Sequence, residues 1–191
     1  MPVSVESLTA VAVGIGLAAA TGLRVFLPLL VAGLAARWGG LPLYDGFLWL
    51  STPGALVTLT TASVLEVAAY YIPGVDHVLD IVATPAAFIA GVIASASVMA
   101  DIPPAIMWPV AVIGGGGIAG LTKVMSGLLR AKTGLATGGL ANPVVSTGET
   151  LSAAGIAVAA VMVPLLSALG LVVLLVWIGR RARRLMLRQA G

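Results

Sequence analysis

Four ionisable residues, Arg24, Glu66, Lys123 and Glu149, stand inside stretches that are otherwise apolar enough to lie in a lipid bilayer. Charged side chains are costly in hydrocarbon, so they face a bundle interior and form pairs, relays or solute pathways. Helix rise gives their depth. Glu66 lies about thirteen residues into an outside-to-inside helix and Glu149 about six into an inside-to-outside one, both roughly 10 Å from the inner boundary. Lys123 comes about nineteen residues into another outside-to-inside helix, in the same layer. Two carboxylates and one ammonium at one depth form a candidate site for exchanging a proton or cation, or else a buried salt bridge that fixes helix packing. Arg24, counted along a single first crossing, is expected toward the outer side with Asp101 as partner.

The run Gly114, Gly115, Gly116, Gly117 falls about ten residues into the fourth span, roughly mid-bilayer. Each glycine lowers helix propensity by about 1 kcal/mol relative to alanine. Unwound backbone there would have to face protein or a wet cavity. The alternative is close helix packing, as at small-xxx-small interfaces. Asn142, in "TGGLANP", is expected to cap the fifth helix and leave its amides toward the inner side, where they could meet an anion or the Glu149 carboxylate.

A weaker set is Asp76, His77 and Asp80 in "PGVDHVLDIVATP", whose helical spacing could gather them around a divalent cation. The favoured reading makes Asp76 the cap of a short amphipathic helix, with the other two solvated. There is one histidine and no cysteine. No nucleotide, haem, zinc-hydrolase or serine-nucleophile motif appears, so neither enzyme activity nor a cofactor is expected.

The elements that must position these residues follow from composition. Of 191 residues 60% are hydrophobic and 9% charged, with a mean hydropathy of +1.12, well outside the balance of a soluble domain. The expected fold is an all-α polytopic membrane protein, a single membrane domain over residues 1–191 with the lipid bilayer as its surroundings. About six crossings are predicted. The first runs from about Glu6 to Ala36, with Gly22 and Pro28 able to bend or break it. The second opens at Thr52-Pro53 and ends before Pro73. The third covers Pro85 to Ile102, the fourth Pro104 to Arg130, the fifth begins at Asn142-Pro143, and the sixth at Pro164. The amino terminus carries Glu6 in place of a basic region, so a cleaved signal is not expected.

Arg130, Lys132 and the cluster Arg180, Arg181, Arg183, Arg184 and Arg188 would share one face, against Arg37 on the other. Positive charge marks the cytoplasmic side, which predicts a multi-pass inner-membrane protein with both termini cytoplasmic. The same tail is a candidate contact for anionic lipid. No aromatic platform accompanies the arginines, so nucleic acid is not an expected partner. A homodimer through small-residue faces, such as Gly91 with Ser95, is a further candidate.

"RVFLPLL" (Arg24 to Leu30) aligns with "KVMSGLL" (Lys123 to Leu129), and each is followed by a glycine-rich loop and a Thr- or Asn-Pro helix start. This predicts two inverted three-helix repeats, residues 1–103 and 104–191, with broken helices near the midplane, as in many transporters.

"TGLRVFLPLL", "LEVAAYYIPGVDHVLD" and "TGGLANP" together resemble the signatures of a small bacterial integral-membrane family known as a domain of unknown function, over nearly the whole chain. The resemblance implies as functional candidates Arg24, Pro28, Glu66, Pro73, Asp76, Asp80, Lys123, Gly138, Gly139, Asn142 and Pro143. The chain departs from it at Gly127, where a second basic residue is expected a turn after Lys123. The expected function is a membrane transporter or channel-like permease for a small solute or ion, proton- or cation-coupled through the buried glutamates. The alternative is a membrane scaffold or lipid-interacting protein whose buried charges are structural.

Overall fold

The first apolar run turns back on itself. In the computed structural model, which describes residues 5–72, 75–138, 140–163 and the single positions 170, 173 and 177, with backbone alone at 75–78, α1 (Val5–Thr21) ends at a turn and α2 (Leu27–Trp38) follows. Pro28 sits in the first turn of α2, where its missing N–H removes no helix bond. Gly22, in the turn, is packed so tightly on the backbone of Ala119 and Lys123 and on Thr122 that a side chain has no room.

A short 3-10 helix, Asp45–Ser51, leads into α3 (Pro53–Ala69), whose start is capped by the Thr52 hydroxyl accepting from the Ala55 amide at 3.3 Å. The expected Thr-Pro helix start is therefore present. Next comes α4 (Val75–Ser97). It begins well before the expected Pro85, which lies inside it. Proline there removes one backbone bond, and burial of Ala83, Ala87, Ala90 and Ala94 in the core carries the helix through.

Packing contacts set the directions. Gly14 of α1 meets Ser95 near the end of α4, and Tyr70 just after α3 meets Asp80 near the start of α4. The amides of Val25 and Phe26 reach Glu66 late in α3, whereas Gly33 meets Leu50 and Leu56 at its beginning. Thus α1 and α3 run one way, α2 and α4 the other, and α1 with α2 forms a helical hairpin. The single long first crossing expected from sequence is not what forms. The start of α1, with Val11 packed against the cluster that Met99, Ile102 and Met107 form with Ala96 and Ala111, lies at the opposite end of the bundle from Arg130 and Lys132.

After α4, a helix of 34 residues runs from Pro104 to Thr137. It comprises α5 (Pro104–Pro109), a π-helical segment (Val110–Gly116) and α6 (Gly117–Thr137). The four glycines do not unwind it. Gly115 and Gly116 lie against α4: a methyl on Gly115 would stand 2.5 Å from the Ser95 Cβ, and one on Gly116 2.8 Å from the Phe88 ring. Gly114 and Gly117 face open space. Gly91 and Ser95 are buried in this same contact, so the face expected to join two copies is used within the chain.

The last described helix, α7 (Asn142–Met162), starts at the predicted Asn-Pro. Asn142 is its first residue and not its cap; the cap position is Ala141, whose amide donates to the Thr137 hydroxyl at 3.1 Å. Gly138, at φ 60°, closes α6 by donating its amide to the Gly134 carbonyl, a left-handed conformation that glycine adopts without strain.

Among the described residues there is no strand. Three helices, Leu79–Ser97, Pro104–Thr137 and Asn142–Met162, are long and apolar enough to cross a membrane, and Asp45–Ser51 with α3, bent by 67°, makes a fourth if counted as one span. The outward faces carry exposed Val57, Leu65, Ile81, Ile113 and Leu151, as expected of a lipid-facing surface. The expected sixth span and the arginine tail lie outside the described residues.

Candidate functional site

Helical periodicity brings the buried polar residues to one layer. On α6, Ala119, Lys123, Ser126 and Arg130 share the buried face, and on α7 Ser146 and Glu149 continue into Ala153, Ala157 and Ala160. These spacings of three and four trace single stripes. Glu66 lies late in α3 and Tyr70 one turn on, just past its end, Asp80 lies near the start of α4, and Arg24 sits at the hairpin tip.

Tyr70, 3% exposed, is the centre. The guanidinium carbons of Arg24 and Arg130 stack over its ring at 4.3 and 4.2 Å from the centroid, and Lys123 Nζ lies 5.2 Å away. Its hydroxyl accepts a hydrogen bond from Lys123 Nζ at 2.8 Å and donates one to Asp80 Oδ1 at 3.0 Å. Lys123 also bonds Asp80 directly at 2.9 Å.

Glu149 closes the layer from α7. Its carboxylate pairs with Arg130 Nη2 and accepts from the Ser126 hydroxyl. Arg24 Nη2 stands 3.6 Å from the same oxygen that Arg130 holds. Arg24, fully buried, also donates from Nε to Thr150 at 2.9 Å and from Nη2 to the Ser146 carbonyl and hydroxyl at 2.8 and 2.6 Å. Asp101, its expected partner, is exposed in the turn after α4 at the far end of the bundle. The error follows from the hairpin: reversal at Gly22 carries Arg24 to the Lys123 layer.

Glu66 does something different from the expectation. Its Oε1 accepts the Val25 amide at 2.8 Å and its Oε2 the Phe26 amide at 3.2 Å. The first amides of a helix have no partner within it and carry its positive dipole end. Glu66 therefore caps α2 from a neighbouring helix and pins the hairpin tip to α3.

Of the sequence candidates, Arg24, Lys123 and Glu149 meet, with Glu66 alongside. Gly115 and Gly116 pack α4 against the long helix and do not line the cluster, and Asn142 stands near Gly134, away from Tyr70. Asp80, a weak metal candidate, is instead an ion-pair partner; Pro73, Gly139 and the side chains of Asp76 and His77 lie outside the described residues. Among the described residues no group of three metal-ligating side chains comes together. Sequence reasoning missed Tyr70 and Arg130. The first stands one helical turn after Glu66, and the second two turns after Lys123 on its own face. Gly127 is half-buried with open space beside it, and the second cation of this helix is Arg130, three residues beyond the expected place.

What the arrangement can do chemically is hold or exchange charge. Three cations, from the hairpin tip and α6, are tied to carboxylates from α4 and α7 by bonds that a proton or an incoming ion would rearrange. Searches of curated proteins and of solved structures find no match. A family model covers residues 11–184, so the chain belongs to the family described as Domain of unknown function (DUF4126).

Proposed function

We propose that the protein is a membrane permease for a small solute or ion and that the layer around Tyr70 is its coupling site. One observation supports this most: Arg24, Asp80, Lys123, Arg130 and Glu149 come from the hairpin tip and three helices to one buried aromatic ring. A merely structural bundle gains little from such a layer, because apolar residues of equal volume stabilise as well or better.

In this reading Glu149 carries the exchanged proton. Neutralising it loosens the tie between α7 and the two arginines, which Tyr70 keeps in place. Lys123 and Asp80 tune that exchange, and Glu66 keeps α2 in register while it occurs. The finer placement belongs to the same proposal: the bundle lies in the inner membrane of a bacterium, with the Arg130 and Lys132 end cytoplasmic and the start of α1 on the other side.

The test is pH-dependent flux of ions and small solutes into liposomes holding the purified full chain, compared with a Glu66→Gln, Glu149→Gln variant at equal folded yield. Flux in the variant is expected to fall about tenfold or more, equivalent to about 1.4 kcal/mol in the barrier. Undiminished flux in the folded variant refutes the role of the glutamates. No flux of wild type across a broad panel returns the charges to a scaffold or lipid-interacting protein.

A further inference from the structure

We infer that Arg24 and Arg130 form a binding site for a small oxyanion, of carboxylate, sulfate or phosphate type, which the Glu149 carboxylate occupies when no such anion is bound. The inference rests on the permease reading for its purpose and names the substrate class of that site.

The first ground is unused hydrogen-bonding capacity. Among the described residues, Arg24 Nη1 and Arg130 Nε are buried without a hydrogen-bond partner, on side chains 0% and 5% exposed. Guanidinium N–H groups are forked donors that match the oxygens of a carboxylate, sulfate or phosphate, and buried ones are rarely left empty.

Geometry is the second. One oxygen of Glu149 is held by Arg130 and lies 3.6 Å from Arg24. A tethered carboxylate between two arginines marks where a free anion would sit. Ser126, which donates to Glu149, would donate to its replacement. Tyr70 holds both guanidinium groups by their faces, so they stay in place when Glu149 leaves.

Charge is the third. Among the described residues around Tyr70, the cations Arg24, Lys123 and Arg130 face the carboxylates Asp80 and Glu149, with Glu66, held by backbone amides, acting on Arg24 and Lys123 from alongside. An anion that takes the place of the Glu149 carboxylate between the two arginines keeps a negative charge there. A cation would meet three buried positive groups.

Two sources share this chemistry, a free anion and an anionic lipid headgroup, and the experiment separates them. Purified full chain in neutral detergent is titrated calorimetrically with sulfate and with inorganic phosphate at constant ionic strength. A second arm compares phosphatidylglycerol with phosphatidylcholine. Saturable binding to either the free anions or phosphatidylglycerol is expected. Glu149→Gln removes the internal competitor and is expected to tighten it about tenfold or more, while Arg130→Gln weakens it by at least as much, the effect of one charge-assisted bond.

Arg24→Lys keeps the charge but loses the fork, and is expected to weaken binding in a protein that folds. Absence of saturable binding to wild type in both arms overturns the inference. So does an affinity unchanged by Glu149→Gln or, should that variant not fold, by Arg24→Lys. Anion binding without flux in liposomes would end the permease reading and keep the site. Flux of cations or neutral solutes without anion binding would do the reverse.

Discussion

At the residue scale, Tyr70 and Glu66 separate packing from charge. Tyr70→Phe keeps the ring under both arginines and the direct Lys123 to Asp80 pair, and removes only the hydroxyl between them. A loss of about 1 kcal/mol of stability is expected, the net worth of an ordinary hydrogen bond, read by denaturant unfolding in micelles. Tyr70→Ala removes the surface on which two guanidinium groups rest, and about 3 kcal/mol or more is expected to go with it. Glu66→Gln keeps one good acceptor and loses the charge at the start of α2. A loss of about 1 to 2 kcal/mol is expected in the same measurement. Tyr70 was not among the sequence candidates because an aromatic residue beside an apolar helix is ordinary. Its role depends on what reaches it from three other elements.

At the element scale, the glycine run has two halves with opposite expectations. Gly115 lies against Ser95 and Gly91, and a Cβ there would overlap atoms of α4. Gly115→Ala is expected to cost about 1 to 3 kcal/mol through overpacking. Gly117 begins α6 with helical φ and open space beside it. Gly117→Ala is therefore expected to be neutral or to stabilise by up to about 1 kcal/mol. Thermal unfolding of the pair in one detergent checks both. An unwound, cavity-lining run would be hurt by both substitutions alike. Sequence could locate the glycines in mid-span, and helix propensity argued for a break there. Tertiary packing overrode it: π-helical turns keep the backbone bonded while α4 comes close enough to use the missing side chains.

At the scale of the whole molecule, the hairpin changes which elements share an end of the bundle. The charged layer and the α6 to α7 connection stand at one end. Trp38, Trp49 and Trp108, all exposed, stand toward the other, with Phe47 at 6.3 Å from both Tyr44 and Trp108. Interfacial tryptophans opposite a basic end are the pattern of a protein seated across a bilayer. Because the chain has no native cysteine, single Cys substitutions report sidedness cleanly. Ser7→Cys and Asp45→Cys are expected to label from one side of sealed vesicles and Lys132→Cys from the other. Labelling of Ser7→Cys together with Lys132→Cys would restore a single first crossing. Composition and the length of the apolar runs determined that this chain is helical and lives in a membrane, since only helices and closed barrels satisfy the backbone in hydrocarbon and runs of about twenty residues fit helices. Local spacing determined the starts at Thr52-Pro53 and Asn142-Pro143 and the common depth of Lys123 and Glu149. Which charges meet was decided only by the tertiary structure. A reversal at Gly22 moves Arg24 from one end of the bundle to the other, and hydropathy, which measures transfer into lipid, is the same whichever way a helix runs.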